Sequence, residues 1–397
     1  MKNSPSKALL LFTVIFMDFL VGMEFDLFVP SFPELQSHFQ LTPSWVEASL
    51  SVNFVGFCIG LFCVGNMADR LGRRPTILLG LSTFVAGSII CLWAPAYSYM
   101  LVGRFFQGLG IAAPSILSFL LIADAFELKK QQFYLAMLNG VMNIAIAFAP
   151  VIGSYVSLYY HWQGNFALLL LMGLFVLVIS LLFVPKDTTF VAKENTIGYQ
   201  EILKTKPLAL LITTFIIMFV PWWIFVGISP LLFMESLGVS LSHFGYYQGS
   251  MALIFAICSI SYGLVMERFN QTKTLYFSNA LCAASLVLLM GISLFDCTNP
   301  LTISLVFLLF VIATVIPTVV LFPQALSYIP QAKGRTAALI QAGRLILSSF
   351  ALQLAGYCYT GSVQSLGMII SFFVLLTILA LHRVIQKNQV TELHANI

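Results

Sequence analysis

Charge is the scarcest feature of this sequence. Only 9% of its residues are Asp, Glu, Lys or Arg, against roughly 25% in an ordinary soluble domain. Hydrophobic residues make up 59%, and mean hydropathy is +0.96. No water-soluble fold hides that much apolar surface, so the composition specifies an integral membrane protein. Other absences narrow the class. The chain has no Gly-x-x-x-x-Gly-Lys-Ser/Thr loop, no His-Glu-x-x-His and no Cys-x-x-Cys. These absences argue against an ATP-driven pump and a metalloenzyme and suggest no metal site and no cofactor. No nucleophile–base pair is visible, so no enzyme is expected, nor is nucleic acid a partner. Cys58, Cys63, Cys91, Cys258, Cys282 and Cys358 lie in apolar segments and only Cys297 does not; they read as small hydrophobes. The N-terminal apolar run is long enough to span and lacks a small-residue cleavage site, so it reads as a retained helix.

What is present is a series of long apolar runs. A spanning helix needs about 20 mostly apolar residues. Twelve such segments follow one another, near 8–30, 44–66, 75–95, 98–123, 133–157, 164–185, 207–232, 243–266, 273–295, 299–326, 335–358 and 363–385. The expected fold is therefore an all-α membrane protein of 12 transmembrane helices. The only long polar stretch separates an N-terminal bundle (1–185) from a C-terminal one (207–397), making 186–206 a linker. Lys and Arg favour the cytoplasmic side. With both termini placed in the cytoplasm, 17 of the 19 cations fall in cytoplasmic segments and none in the outer loops; Arg104 and Arg344 lie inside spans. In a bacterium that side is the cytoplasmic face of the inner membrane.

The cations concentrate in one loop, Gly65-Asn66-Met67-Ala68-Asp69-Arg70-Leu71-Gly72-Arg73-Arg74, between the second and third spans. A degenerate copy, Gly263 to Lys273 with Glu267 and Arg268, lies between the eighth and ninth. Asp69 and Glu267 are 198 residues apart in a chain of 397, the spacing of a six-helix repeat. Gly65-x-x-x-Asp69-Arg70-x-Gly72-Arg73-Arg74 resembles the signature loop of the major facilitator superfamily. Arg104-x-x-Gln107-Gly108-x-Gly110 resembles its drug-antiporter motif. Ala149-Pro150-x-x-Gly153-Ser154 is similar to its antiporter motif, with Ala149 and Ser154 where glycines are expected. Asp26-x-x-x-Pro30-x-x-Pro33 resembles the Bcr/CflA group of multidrug:proton antiporters. The resemblance implies two six-helix bundles that rock about a central cavity. It also implies a cytoplasmic charge latch made by the signature loop, which holds one conformation; topology anchoring alone would explain the arginines but not Asp69 and the glycines.

Ionisable groups inside a bilayer are costly and mark functional candidates. The first span carries Asp18, Glu24 and Asp26, the candidates for proton coupling. On a regular helix Asp18 and Asp26 lie about 80° apart and can border one cavity, while Glu24, about 200° from Asp26, points elsewhere. Similar depth makes Arg104 a partner for Asp26. Asp18, alone in an apolar cavity, favours its neutral form and is the better proton carrier. Arg344 suits either an anionic substrate group or structural pairing. Trp222 and Trp223 follow the helix-breaking Pro221 and suit either a cavity wall or packing. Asn139 and Asn143 share a face and line the cavity or bond across helices. The reading that follows is a proton-coupled secondary transporter, a monomer exporting small amphipathic compounds. The alternatives are a carrier of a specific metabolite or siderophore and a transport-dead receptor or scaffold.

Overall fold

The computed structural model describes residues 7–186, 198–329 and 332–395. Among them, eleven helices are long and apolar enough to cross a membrane. The chain starts with α1 (Lys7–Glu24), a 3-10 turn (Val29–Ser31) and α2 (Phe32–Phe39). Next come α3 (Pro43–Leu71), α4 (Arg73–Leu92), α5 (Tyr97–Ala125) and α6 (Leu128–Phe183). The rest comprises α7 (Tyr199–Lys204), α8 (Lys206–Met218), α9 (Val220–Pro230), α10 (Leu241–Val265), α11 (Gln271–Leu294), α12 (Pro300–Ala313), α13 (Val315–Tyr328), α14 (Lys333–Cys358) and α15 (Val363–Ala395).

One apolar run, Gly140–Phe183, is 44 residues long. At 1.5 Å per residue a straight helix of that length would reach about 66 Å, twice the thickness of a bilayer core. It is not straight: His161 takes φ 58 and ψ −173 and separates two helices. Contacts with the start of the chain show the reversal. Before His161, a Cβ on Gly22 would press on Ala145, and Ser31 bonds Ser157, so α6 runs with α1. After it, Phe28 meets Phe166 and Phe16 meets Phe175, so α6 runs against it. The expected spans at 133–157 and 164–185 lie on either side of this break.

Proline interrupts two further runs. Pro221 lacks the N–H that would bond the carbonyl of Ile217; α8 stops, Phe219 donates to that carbonyl, and α9 begins. Pro317 likewise frees the carbonyl of Ala313, the last residue of α12. Ser278 Oγ on α11 donates to it at 2.6 Å, so the buried acceptor is not left unsatisfied.

The chain packs as two compact units, Met1–Lys193 with Ser240–Ala252, and Glu194–Val239 with Leu253–Ile397. The division by sequence put all of 207–397 in the second bundle; by packing, Ser240–Ala252 groups with the first unit. In the first unit α5 lies along α3 and α4, and α1 along α6. Glycine sets how close these helices come. A Cβ on Gly108 would overlap the carbonyl oxygen of Asn53, and one on Gly153 that of Leu27. In the second unit α11 packs on α12 and α15, and α14 on α8 and α9.

Candidate functional site

The first unit holds a buried polar network centred on Arg104 of α5. Arg104 is completely buried. Its Nη1 donates to Glu24 Oε1 at 2.8 Å and to Gln107 Oε1 at 2.7 Å. Its guanidinium lies 4.1 Å from the Phe28 ring centroid, within cation–π range. Asn53 Nδ2, on α3, donates to the same Glu24 oxygen at 2.7 Å and to the Arg104 carbonyl at 3.0 Å. Gln107 Nε2 passes the chain on to Ser88 Oγ of α4 at 2.8 Å. Four elements are thereby tied through one cation. Burying an ion pair is tolerable only when its remaining donors and acceptors are also engaged; Asn53 and Gln107 meet part of that requirement, while Glu24 Oε2 and Arg104 Nη2 have no hydrogen-bond partner.

The partner of Arg104 is thus Glu24 and not Asp26, a correction to the expected pair. Depth alone does not distinguish the two acids, because they are separated by only two residues. The side faced by α1 decides, and the regular α-helix ends at Glu24 before the chain tightens into the 3-10 turn. The angular arithmetic linking Asp18 to Asp26 assumed one uninterrupted helix. Asp26 is 2% exposed, and its Oδ1 has no hydrogen-bond partner.

Asp18 is fully buried on α1. Ser118 Oγ of α5 donates to its Oδ1 at 3.0 Å, while Oδ2 has no partner. A fourth buried acid went unnoticed in the sequence. Glu47 on α3 is fully buried with neither carboxylate oxygen hydrogen-bonded. It lies four residues past Pro43, where an acid reads as interfacial, so only its burial reveals it. Among the described residues, Asp18, Asp26 and Glu47 form no ion pair.

The signature loop turns on Gly72, whose φ of 87 and ψ of 164 separate α3 from α4; a positive φ of this kind suits glycine. Arg73 then points into the protein, 2% exposed, and pairs with the carboxylate of Asp124 at the end of α5. Arg74 Nη2 reaches the carbonyl of Leu181. Asp124 had given no signal in the sequence beyond its place at a helix end. Arg70 and Arg268 are exposed, and a Cβ on Gly65 would meet nothing within 4 Å. The side chains of Asp69 and Glu267 lie outside the described residues, as does that of Asn139.

On α6, Ala149 and Pro150 are buried and Gly153 abuts Leu27. Asn165, also unremarked in the sequence, donates from Nδ2 to Ser31 Oγ and Ser157 Oγ, both at 2.8 Å. This clasp holds the two limbs of α6 to the 3-10 turn after α1. Asn143 is half-buried.

In the second unit the two tryptophans part company. Trp223 is 7% exposed and belongs to the packing. Trp222 is half-buried and stacks on Phe307, with centroids 6.4 Å apart and planes at 19°. Arg344 holds its guanidinium 4.9 Å from the ring of Phe219, at the α8–α9 break. No cluster of His, Cys, Asp and Glu suited to a metal ion occurs among the described residues.

Residues 14–352 match the sequence profile of the Major Facilitator Superfamily. The chain belongs to that family. It is 28% identical over 266 residues to "Multidrug resistance protein MdtL" of Klebsiella pneumoniae (strain 342), covering 66% of this chain and 67% of the relative. It is 27% identical over 272 residues to the protein of the same name from Shewanella oneidensis, with coverage of 67% and 68%. Among solved structures, it resembles the D-xylose-proton symporter with a TM-score of 0.72, covering 93% and 97% of the two chains at 14% identity. A bacterial homolog to the human lysosomal transporter Spinster gives a TM-score of 0.70 with coverage of 97% and 96%, also at 14% identity. Such identities establish the major facilitator fold alone. The protein is a multi-pass major facilitator transporter, and its relatives are transporters rather than enzymes.

Proposed function

We propose that this major facilitator protein is a proton-coupled exporter of small amphipathic compounds, working by alternating access between its two six-helix halves. The observation that carries the reading is Asp18, a fully buried acid in the first span with one oxygen held by Ser118 and the other unpartnered. An ionised carboxylate without a cation costs several kcal/mol in apolar surroundings. Closing the protein around Asp18 therefore favours uptake of a proton, and opening it to the low-proton side favours release. Coupling follows if cargo binds the deprotonated form. The names of the relatives support a drug-like cargo.

The same reading counts twelve spans, taking the reversal at His161 as the boundary between the fifth and sixth. It places both termini in the cytoplasm from the one-sided distribution of Lys and Arg, in the inner membrane. It has the carrier work as a monomer with protons and a small molecule as its only ligands, without nucleic acid or a further cofactor. The test is transport by purified protein in liposomes with an imposed pH gradient, against a panel of dyes, drugs and siderophores. Movement of dyes or drugs against the proton gradient is expected. Movement of one metabolite or siderophore alone would overturn the multidrug reading, and transport indifferent to the gradient would overturn the coupling.

A further inference from the structure

Glu47 has no part in the network around Arg104. A packing role would be met better by an aliphatic residue, because even a neutral carboxyl group loses about 1–3 kcal/mol when buried without a hydrogen-bond partner. The groups that titrate or carry charge on the elements packed against this part of α3 are Tyr97 and Arg104 on α5, Cys91 on α4, and Glu34 and His38 on α2. None of them hydrogen-bonds the Glu47 carboxylate, both of whose oxygens lack a partner.

Close by is a cleft of about 470 Å³ lined by Gln40, Leu41, Thr42, Trp45, Tyr97 and Leu101 among others. Tyr97 runs from that cleft to the backbone just before Glu47. Its hydroxyl donates to the carbonyls of Trp45 at 2.6 Å and Val46 at 3.1 Å. Tyr97 itself is 8% exposed. One phenol hydroxyl thus holds the first turn of α3, the turn that leads directly into the buried, unpartnered Glu47.

We propose that Glu47 is a second proton-binding site of this transporter, separate from the acids of the first span, and that Tyr97 is the gate between it and the Trp45 cleft. In the closed state Glu47 holds a proton. Release of the Tyr97 hydroxyl from the Trp45 and Val46 carbonyls lets water reach the carboxyl group and exchange that proton. The proposal rests on the proton-coupled reading for its role in transport, but the site itself is read from the carboxyl group.

Infrared spectra of the full-length protein in liposomes test it, in H₂O and after transfer to D₂O at neutral pH. A protonated-carboxyl band present in the wild type and missing in Glu47→Gln is expected. Its deuterium shift should proceed about five- to tenfold faster in Tyr97→Phe, the factor corresponding to loss of about one hydrogen bond from the closed state. Where Glu47→Gln fails to fold, Glu47→Asp serves, and a displaced band supports the assignment. A carboxyl band identical in wild type and either Glu47 variant overturns it. So does a Glu47 band that exchanges no faster in Tyr97→Phe than in the wild type. If the wild type moves no cargo on a pH gradient while the Glu47 band exchanges as expected, the site stands and the transport reading falls.

Discussion

Removing either member of the Arg104–Glu24 pair should destabilise the first unit, and the two removals should differ in their response to pH. Both side chains are fully buried, with the charged atoms 2.8 Å apart. Breaking such a pair leaves one uncompensated buried charge, at a cost of about 3–5 kcal/mol. For a unit of roughly 200 residues, 3 kcal/mol corresponds to a fall in Tm of about 6–12 °C. Arg104→Gln strands a carboxylate, and Glu24 escapes by taking a proton. Its defect should therefore shrink as pH falls, because the orphaned acid is then neutral in both folded and unfolded chains. Glu24→Gln strands a guanidinium that does not deprotonate, so its defect should persist across the same range. The double variant Glu24→Gln/Arg104→Gln buries no net charge and should recover at least about 2 kcal/mol relative to the sum of the singles. Circular-dichroism melts in detergent, at several pH values, measure all three. A double variant no better than the sum of the singles would refute the pairing. Coupling of Arg104 to Asp26 instead of Glu24 would restore the partnership expected from the sequence.

Asp18→Asn mimics the protonated acid permanently, so it should still bind a neutral cargo while losing transport driven by a pH gradient in liposomes; wild-type coupling in this variant would move the proton site to Asp26 or Glu47. Trp222→Ala should weaken binding of large aromatic ligands with little change in Tm, whereas Trp223→Ala should cost about 3–5 kcal/mol of stability as a core truncation; fluorescence quenching and thermal melts separate the two. Asp124→Asn and Arg73→Gln should each slow turnover by weakening the signature-loop latch, and combining them should add little, because they remove the same ion pair; additive losses in reconstituted transport rates would show that the pair does not form.

The spans were legible because hydropathy is a property of composition over about 20 residues, and nearly every expected segment coincides with a helix in the structure. The run from Leu128 to Phe183 shows the limit of that signal. Two spans are expected there from the sequence, but not that a single residue, His161, separates the two helices with no polar loop between them. Side-chain partnership was less legible, because it depends on which way each helix faces. Two residues of difference between Glu24 and Asp26 carry almost no information about depth and all of the information about direction. The 3-10 turn after Glu24 altered that direction in a way that an ideal helical wheel could not anticipate. Glu47 and Asp124 were hidden for another reason. Each lies near a helix end, where an acid is unremarkable, and tertiary packing alone distinguishes a buried acid from a solvated one.

The correction at Arg104 changes how the intramembrane charges divide their roles. Glu24 stood with Asp18 and Asp26 as a candidate for proton coupling on sequence grounds. In the structure its Oε1 accepts from both Arg104 and Asn53. The guanidinium beside it keeps its charge at every accessible pH. A carboxylate held by a permanent cation and by Asn53 suits the task of tying α1, α3 and α5 together. On the proposed proton-coupled reading, the readiest group to change charge is an acid that no cation holds. Within the first unit those conditions are met by Asp18, with one oxygen bonded to Ser118, by Asp26, with Oδ1 unpartnered, and by Glu47, with neither oxygen engaged. On the proposed proton-coupled reading, the coupling acid is therefore to be sought among those that lack a salt bridge, with the buried ion pair as the frame around them.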